Sequence, residues 1–185
     1  MAGQRSNTGR GSKQQSALQT LRAAVLSGLM LALTWAMTSM QSEAKPSARI
    51  LPTGEGIELT DSNGTSYKVT LPLYRSGDIR YFSAGVGIEE REAEYPSFPL
   101  KLVFVAGVKP YLSYVSVIIE ETSGPVRLEV PPEQVAGPWL FVDLPSGTYT
   151  ITASKDGHTQ VREGVSVRAG DMRTVYFHWP EGIAF

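Results

Sequence analysis

The chain has 185 residues, no cysteine and a formal net charge of −1. That length suits one domain, and the missing cysteine excludes disulfides, thiolate metal sites and a cysteine nucleophile. Residues 45–185 hold 13 Lys and Arg against 17 Asp and Glu, a net of −4, so no basic face for nucleic acid is expected.

Residues 1–44 open with Arg5, Arg10, Lys13 and Arg22 and no acidic residue before Glu43. Residues 23–42 then carry no charge, and Ser42-Glu43-Ala44 closes the stretch with small residues where a signal peptidase reads. This layout predicts a signal peptide helix over residues 1–44 and an exported, periplasmic protein. The alternative is an uncleaved inner-membrane anchor, with residues 23–42 as the sole contact with the membrane.

Residues 45–98 read as an N-terminal extension. Two alternating runs at 56–60 and 67–71 flank Asp61-Ser62-Asn63-Gly64, a strong hairpin signal. Residues 80–86 suit another short strand. The acidic run 88–95 is helix-compatible and is closed by Pro96 and Pro99, so it reads as a solvated turn of helix or a linker.

Residues 99–180 carry turn signals between short apolar runs and no long helical period. Seven strands are predicted: 100–106, 113–121, 126–130, 139–143, 148–154, 159–167 and 172–179, with Lys155-Asp156-Gly157-His158 as the turn between the fifth and the sixth. The first is apolar on both faces except at Lys101, which suits a central strand. The pair 139–143 and 148–154, joined through Leu144-Pro145-Ser146-Gly147, reads as a β-hairpin with Tyr149 just after its turn. Tyr149, Phe177 and Trp179 fall on the core face, and the Tyr149 hydroxyl is expected to reach a loop carbonyl. The fold class is all-β: a seven-stranded antiparallel β-sandwich preceded by a short β-hairpin.

Four runs carry a family resemblance. They are Tyr111-Leu112-x-x-Val115-x-Val117, Gly137-Pro138-Trp139-Leu140, Leu144-Pro145-x-Gly147-x-Tyr149-x-Ile151-x-Ala153 and Val175-Tyr176-Phe177-His178-Trp179. Together they make residues 100–179 resemble the carboxypeptidase regulatory-like domains, which are transthyretin-like (prealbumin-like) sandwiches. With Gly85-Val86-Gly87-Ile88-Glu89-Glu90-Arg91 ahead of them, they are similar to a group of exported proteobacterial proteins of unassigned role. The resemblance implies a binding or accessory module with no peptidase attached. It names a superfamily more than a task.

Catalytic material is thin. His158 and His178 are the only histidines and lack metal-ligand spacing, so no metal, cofactor or catalytic residue is expected. Asp61-Ser62-Asn63-Gly64-Thr65 reads as a hairpin turn, because it lacks the ligand set of a calcium loop. The purine-pathway hydrolase of the transthyretin-like group ends in Tyr-Arg-Gly-Ser, which is absent here. The aromatics Tyr111, Tyr114 and Trp139, in or beside loops, are the expected ligand contacts, able to stack on a sugar or a peptide. The leading expectation is a non-catalytic binding module at the bacterial envelope whose partner is an envelope protein or a glycan. The alternatives are a structural protein acting through strand addition or oligomerisation, and a hydrolase.

Overall fold

A computed structural model describes residues 45–60, 66–107 and 112–182. The predicted signal peptide, the Asn63-Gly64 turn and Tyr111 lie outside the described residues.

The chain from residue 45 opens with a three-stranded antiparallel meander, β1 (Ser47–Ile50), β2 (Gly56–Thr60) and β3 (Ser66–Pro72). The predicted hairpin is its β2–β3 pair, in which Ile57 faces Leu71. Next come β4 (Tyr74–Ser76), β5 (Ile79–Ala84) and a short helix, α1 (Ile88–Glu92). The seven strands predicted downstream follow as β6 (Leu100–Ala106), β7 (Ser116–Glu121), β8 (Arg127–Val130), β9 (Trp139–Val142), β10 (Gly147–Lys155), β11 (His158–Val167) and β12 (Arg173–Trp179). A 3-10 turn at Pro132–Gln134 separates β8 from β9.

These strands form two sheets. One has five strands in the order β12-β6-β9-β5-β4, the other four in the order β11-β10-β7-β8. Every pair is antiparallel except β12 with β6, which run in parallel. The fold is therefore an all-β sandwich, mostly antiparallel. Period-2 alternation builds its interior. Leu100, Leu102 and Phe104 on β6, Leu140 and Val142 on β9, and Val175, Phe177 and Trp179 on β12 meet Val117, Ile119, Leu128, Tyr149, Ile151 and Ala153 from the other sheet. The face of β7 holding Val117 and Ile119 and the core position of Tyr149 are as the sequence led us to expect.

Two features depart from the sequence reading. First, the sandwich starts before residue 99, because β5 lies between β9 and β4 inside the five-stranded sheet. The acidic run, which reads as a solvated turn of helix or a linker, holds the short helix α1 with no buried residue and connects β5 to β6. Second, β9 and β10 are not a hairpin. They sit in different sheets, and Leu144-Pro145-Ser146 carries the chain from one to the other. Leu144 is buried at that corner, Pro145 has no N–H to offer a ladder, and the Tyr149 hydroxyl donates to the Pro145 carbonyl at 2.8 Å. The hairpin of this region is instead β10–β11, where Lys155 pairs with His158 around the turn at Asp156-Gly157. Asp156 (φ 47°) and Gly157 (φ 80°) both take the left-handed backbone that a tight two-residue turn needs.

The outer face of the five-stranded sheet is also covered. Phe82, Ala84 and Phe141 pack there with Ile57, Leu73 and Phe98, and Ala48, Ile50, Leu71, Tyr95 and Trp139 adjoin them. The N-terminal meander thus lies on the sandwich. Burial on both faces is the reason that residues 100–106 and 139–142 are apolar almost throughout.

Candidate functional site

Lys101 is the one charged residue in β6. Its side chain points to the outer face, away from Leu100 and Leu102. In the antiparallel β6–β9 register Lys101 faces Phe141, while Val103 faces Trp139. Trp139 is therefore the diagonal neighbour of Lys101 on that face, close enough for a long side chain to reach. Lys101 Nζ lies 3.4 Å from the centroid of the Trp139 ring and 5.1 Å from that of Phe141. Both are cation–π distances.

The bed beneath the amine is fixed from several sides. Phe141 stacks on Phe82 with centroids 4.7 Å apart and planes 5° from parallel. Tyr95 leans on both, at 5.3 Å from Phe82 and 4.9 Å from Phe141, and its hydroxyl donates to the Glu90 carbonyl at 2.8 Å. Gly85, at φ 98°, comes so close that a Cβ there would lie 2.9 Å from Cδ2 of Trp139. The Glu90 carboxylate accepts the N–H groups of Gly85 (2.7 Å) and Val86 (3.1 Å), which ties α1 to the end of β5.

A groove of about 420 Å³ opens above this bed, between Tyr95, Pro96 and Ser97 on one side and Met172 on the other, with Lys101 in its lining. Among the described residues no carboxylate pairs with Lys101. Burial lowers its pKa from the ordinary lysine value, since the charged form loses water. Burial also raises the Tyr95 hydroxyl well above the tyrosine range, with Glu90 adding to the effect. Tyr95 therefore stays neutral. The site presents one desolvated ammonium on an aromatic floor, with Met172 exposed at its edge.

The three expected contact residues part company. Tyr111 lies outside the described residues. Tyr114 is 55% exposed, adopts a left-handed backbone (φ 56°) and donates its N–H to the Val135 carbonyl at 2.7 Å. Its neighbour Ser113 lines a second depression of about 390 Å³ with Gly85, Val86, Ala136 and Pro138. Trp139 lines the Lys101 groove instead, and Arg91 borders both. The Trp139 ring is not open for stacking, because the Lys101 amine occupies its face. Lys101 itself escaped notice as a site residue. The signal was there in the sequence: a single charge inside an otherwise apolar central strand.

Among the described residues, no hydrogen bond or ion pair joins either histidine ring to a carboxylate. His178 stacks on Tyr176 at 6.1 Å on β12, and His158 begins β11, where its carbonyl accepts the Trp179 indole N–H. No cluster of three metal-ligating His, Asp or Glu side chains occurs among the described residues.

The chain matches no protein-family model, no curated protein and no solved structure. Its site therefore has to be read from its own residues. Lys101 lies over Trp139 and Phe141 without a counter-ion among the described residues; Arg162, over Phe177 at 5.0 Å, has no carboxylate either but donates to the carbonyls of Val161 and Tyr176.

Proposed function

We propose that this chain is an exported, non-catalytic β-sandwich of the carboxypeptidase regulatory-like kind that serves as a binding or accessory module at the bacterial envelope. The observation that carries the reading is the Lys101 ammonium, held over Trp139 with no carboxylate partner among the described residues, at the floor of a groove large enough for a small ligand group. The basic start and uncharged run of residues 1–42 support export.

The sheet edges favour this reading over strand addition. On β12 the carbonyls of His178 and Tyr176 already accept side-chain donors, Gln160 at 2.5 Å and Arg162 at 3.3 Å. On β8, Arg127 pairs with Glu120 and Glu129, and charged pairs are a common guard against edge-to-edge association.

The test is a glycan array and a pull-down from envelope extract, run in parallel with the wild-type chain and Lys101→Ala. Retention by the wild type that is lost in Lys101→Ala, with melting temperatures alike, supports the reading. Silence of the wild type in both assays, or retention indifferent to the substitution, overturns it.

A further inference from the structure

We propose that the Lys101 groove receives an acidic side chain of an extended peptide segment, its carboxylate pairing with the Lys101 ammonium. This deepens the binding-module reading and rests on it.

The charge argument comes first. An ammonium half removed from water keeps only part of its solvation, and ring faces replace only part of the rest. An incoming carboxylate supplies what is missing at hydrogen-bond distance. The other ionic groups around the groove are Arg91 and Glu94. The Glu90 carboxylate on α1 is already engaged by two backbone N–H groups. Neither Glu90 nor Glu94 forms an ion pair with Lys101 among the described residues, so the amine is left unmatched.

The choice of a peptide follows from what the walls offer. A sugar ring is held by an open aromatic face and side chains fanned out to its hydroxyls. Here the Trp139 face lies under Lys101, Phe141 is stacked on Phe82, and the Tyr95 hydroxyl is spent on Glu90. The main chain, by contrast, is available. Glu94 pairs through its N–H with Pro46 and through its carbonyl with Ala48, and Pro99 accepts from Arg173. Between them, residues 95–98 form no backbone hydrogen bond among the described residues; Phe98 is buried, so the reachable part of the run is 95–97. An unpaired run of main chain beside a charged groove is what strand-like peptide capture uses. Pro96 withholds one donor, and Met172 at the mouth offers an adaptable thioether to an apolar neighbour of the acid.

The experiment is fluorescence anisotropy of the full chain with a fluorescein-labelled Val-Glu-Val-Glu-Val peptide, its glutamine twin, and oligogalacturonate as the carboxylated-sugar probe. The glutamate peptide is expected to bind at least tenfold tighter than the glutamine twin, and added salt should weaken it. Lys101→Met should erase the difference and Lys101→Arg should keep it. Equal binding of the two peptides, or a preference that survives Lys101→Met, overturns the proposal. Lys101-dependent binding of oligogalacturonate in place of the peptide also overturns it, while leaving the groove a binding site. Silence from all three probes overturns the proposal, and the glycan array and pull-down then decide the binding-module reading by themselves.

Discussion

Ser83 and Gly137 bind each other twice: the Gly137 N–H donates to Ser83 Oγ at 2.8 Å, and Ser83 Oγ donates to the Gly137 carbonyl at 3.2 Å. Ser83 is the one buried polar residue among those described, and it fastens the end of β5 to the loop that delivers Trp139. A Cβ on Gly137 would fall 2.3 Å from the Ala84 carbonyl oxygen, so the approach also needs a glycine. Ser83→Ala leaves the buried Gly137 N–H without its partner, at a cost of about 1–3 kcal/mol. Urea unfolding checks this, and an unchanged midpoint contradicts it.

Gly85 is the second backbone position that the site depends on. Its φ of 98° is one that residues with a Cβ rarely adopt, and a Cβ there would crowd the Trp139 ring at 2.9 Å. Gly85→Ala should destabilise by about 1–3 kcal/mol of backbone strain. It should also shift the tryptophan emission spectrum as the Trp139 ring moves. A variant with wild-type stability and spectrum argues against this fit.

Tyr149 closes the corner between the sheets. Tyr149→Phe keeps the ring and loses one hydrogen bond to Pro145, so about 1 kcal/mol is expected. Tyr149→Ala empties a fully buried site and should cost about 3–5 kcal/mol. Similar losses for the two variants contradict the division of labour between ring and hydroxyl.

Lys101 gives a pH signature. Burial sets its folded pKa below the ordinary value of 10.5. In the window from that lowered value up to 10.5 the unfolded chain binds more protons than the folded one, so this residue's contribution to stability rises with pH. Below the window both states are charged, and the desolvation cost is present in full. Stability of the wild type relative to Lys101→Met is therefore expected to climb through the alkaline range and level off near 10.5. Urea midpoints measured at a series of pH values test it, and a flat difference contradicts it.

Much of the fold is legible because its information is local. Alternation along 172–179 places Val175, Phe177 and Trp179 inside, and Asp156-Gly157 marks the hairpin that forms. What fails is pairing. An apolar run, a Leu-Pro-Ser turn and a second apolar run look alike whether the strands join one ladder or cross between sheets, because the partner strands lie elsewhere in the chain. β5 suffers the same way: Ile79, Tyr81 and Phe82 fill both faces, so alternation is blurred. The site follows suit. Trp139 stands out as an aromatic beside a loop, yet its partner Lys101 becomes visible only through the β6–β9 register.

The most direct measurement is a map of chemical-shift changes on adding the Val-Glu-Val-Glu-Val peptide to the isotope-labelled chain. Shifts are expected to concentrate at Ala93, Ser97, Lys101 and the Met172 methyl. Shifts gathered at Val86, Ser113 and Tyr114, with Lys101 unmoved, would contradict it and place the binding surface in the neighbouring depression.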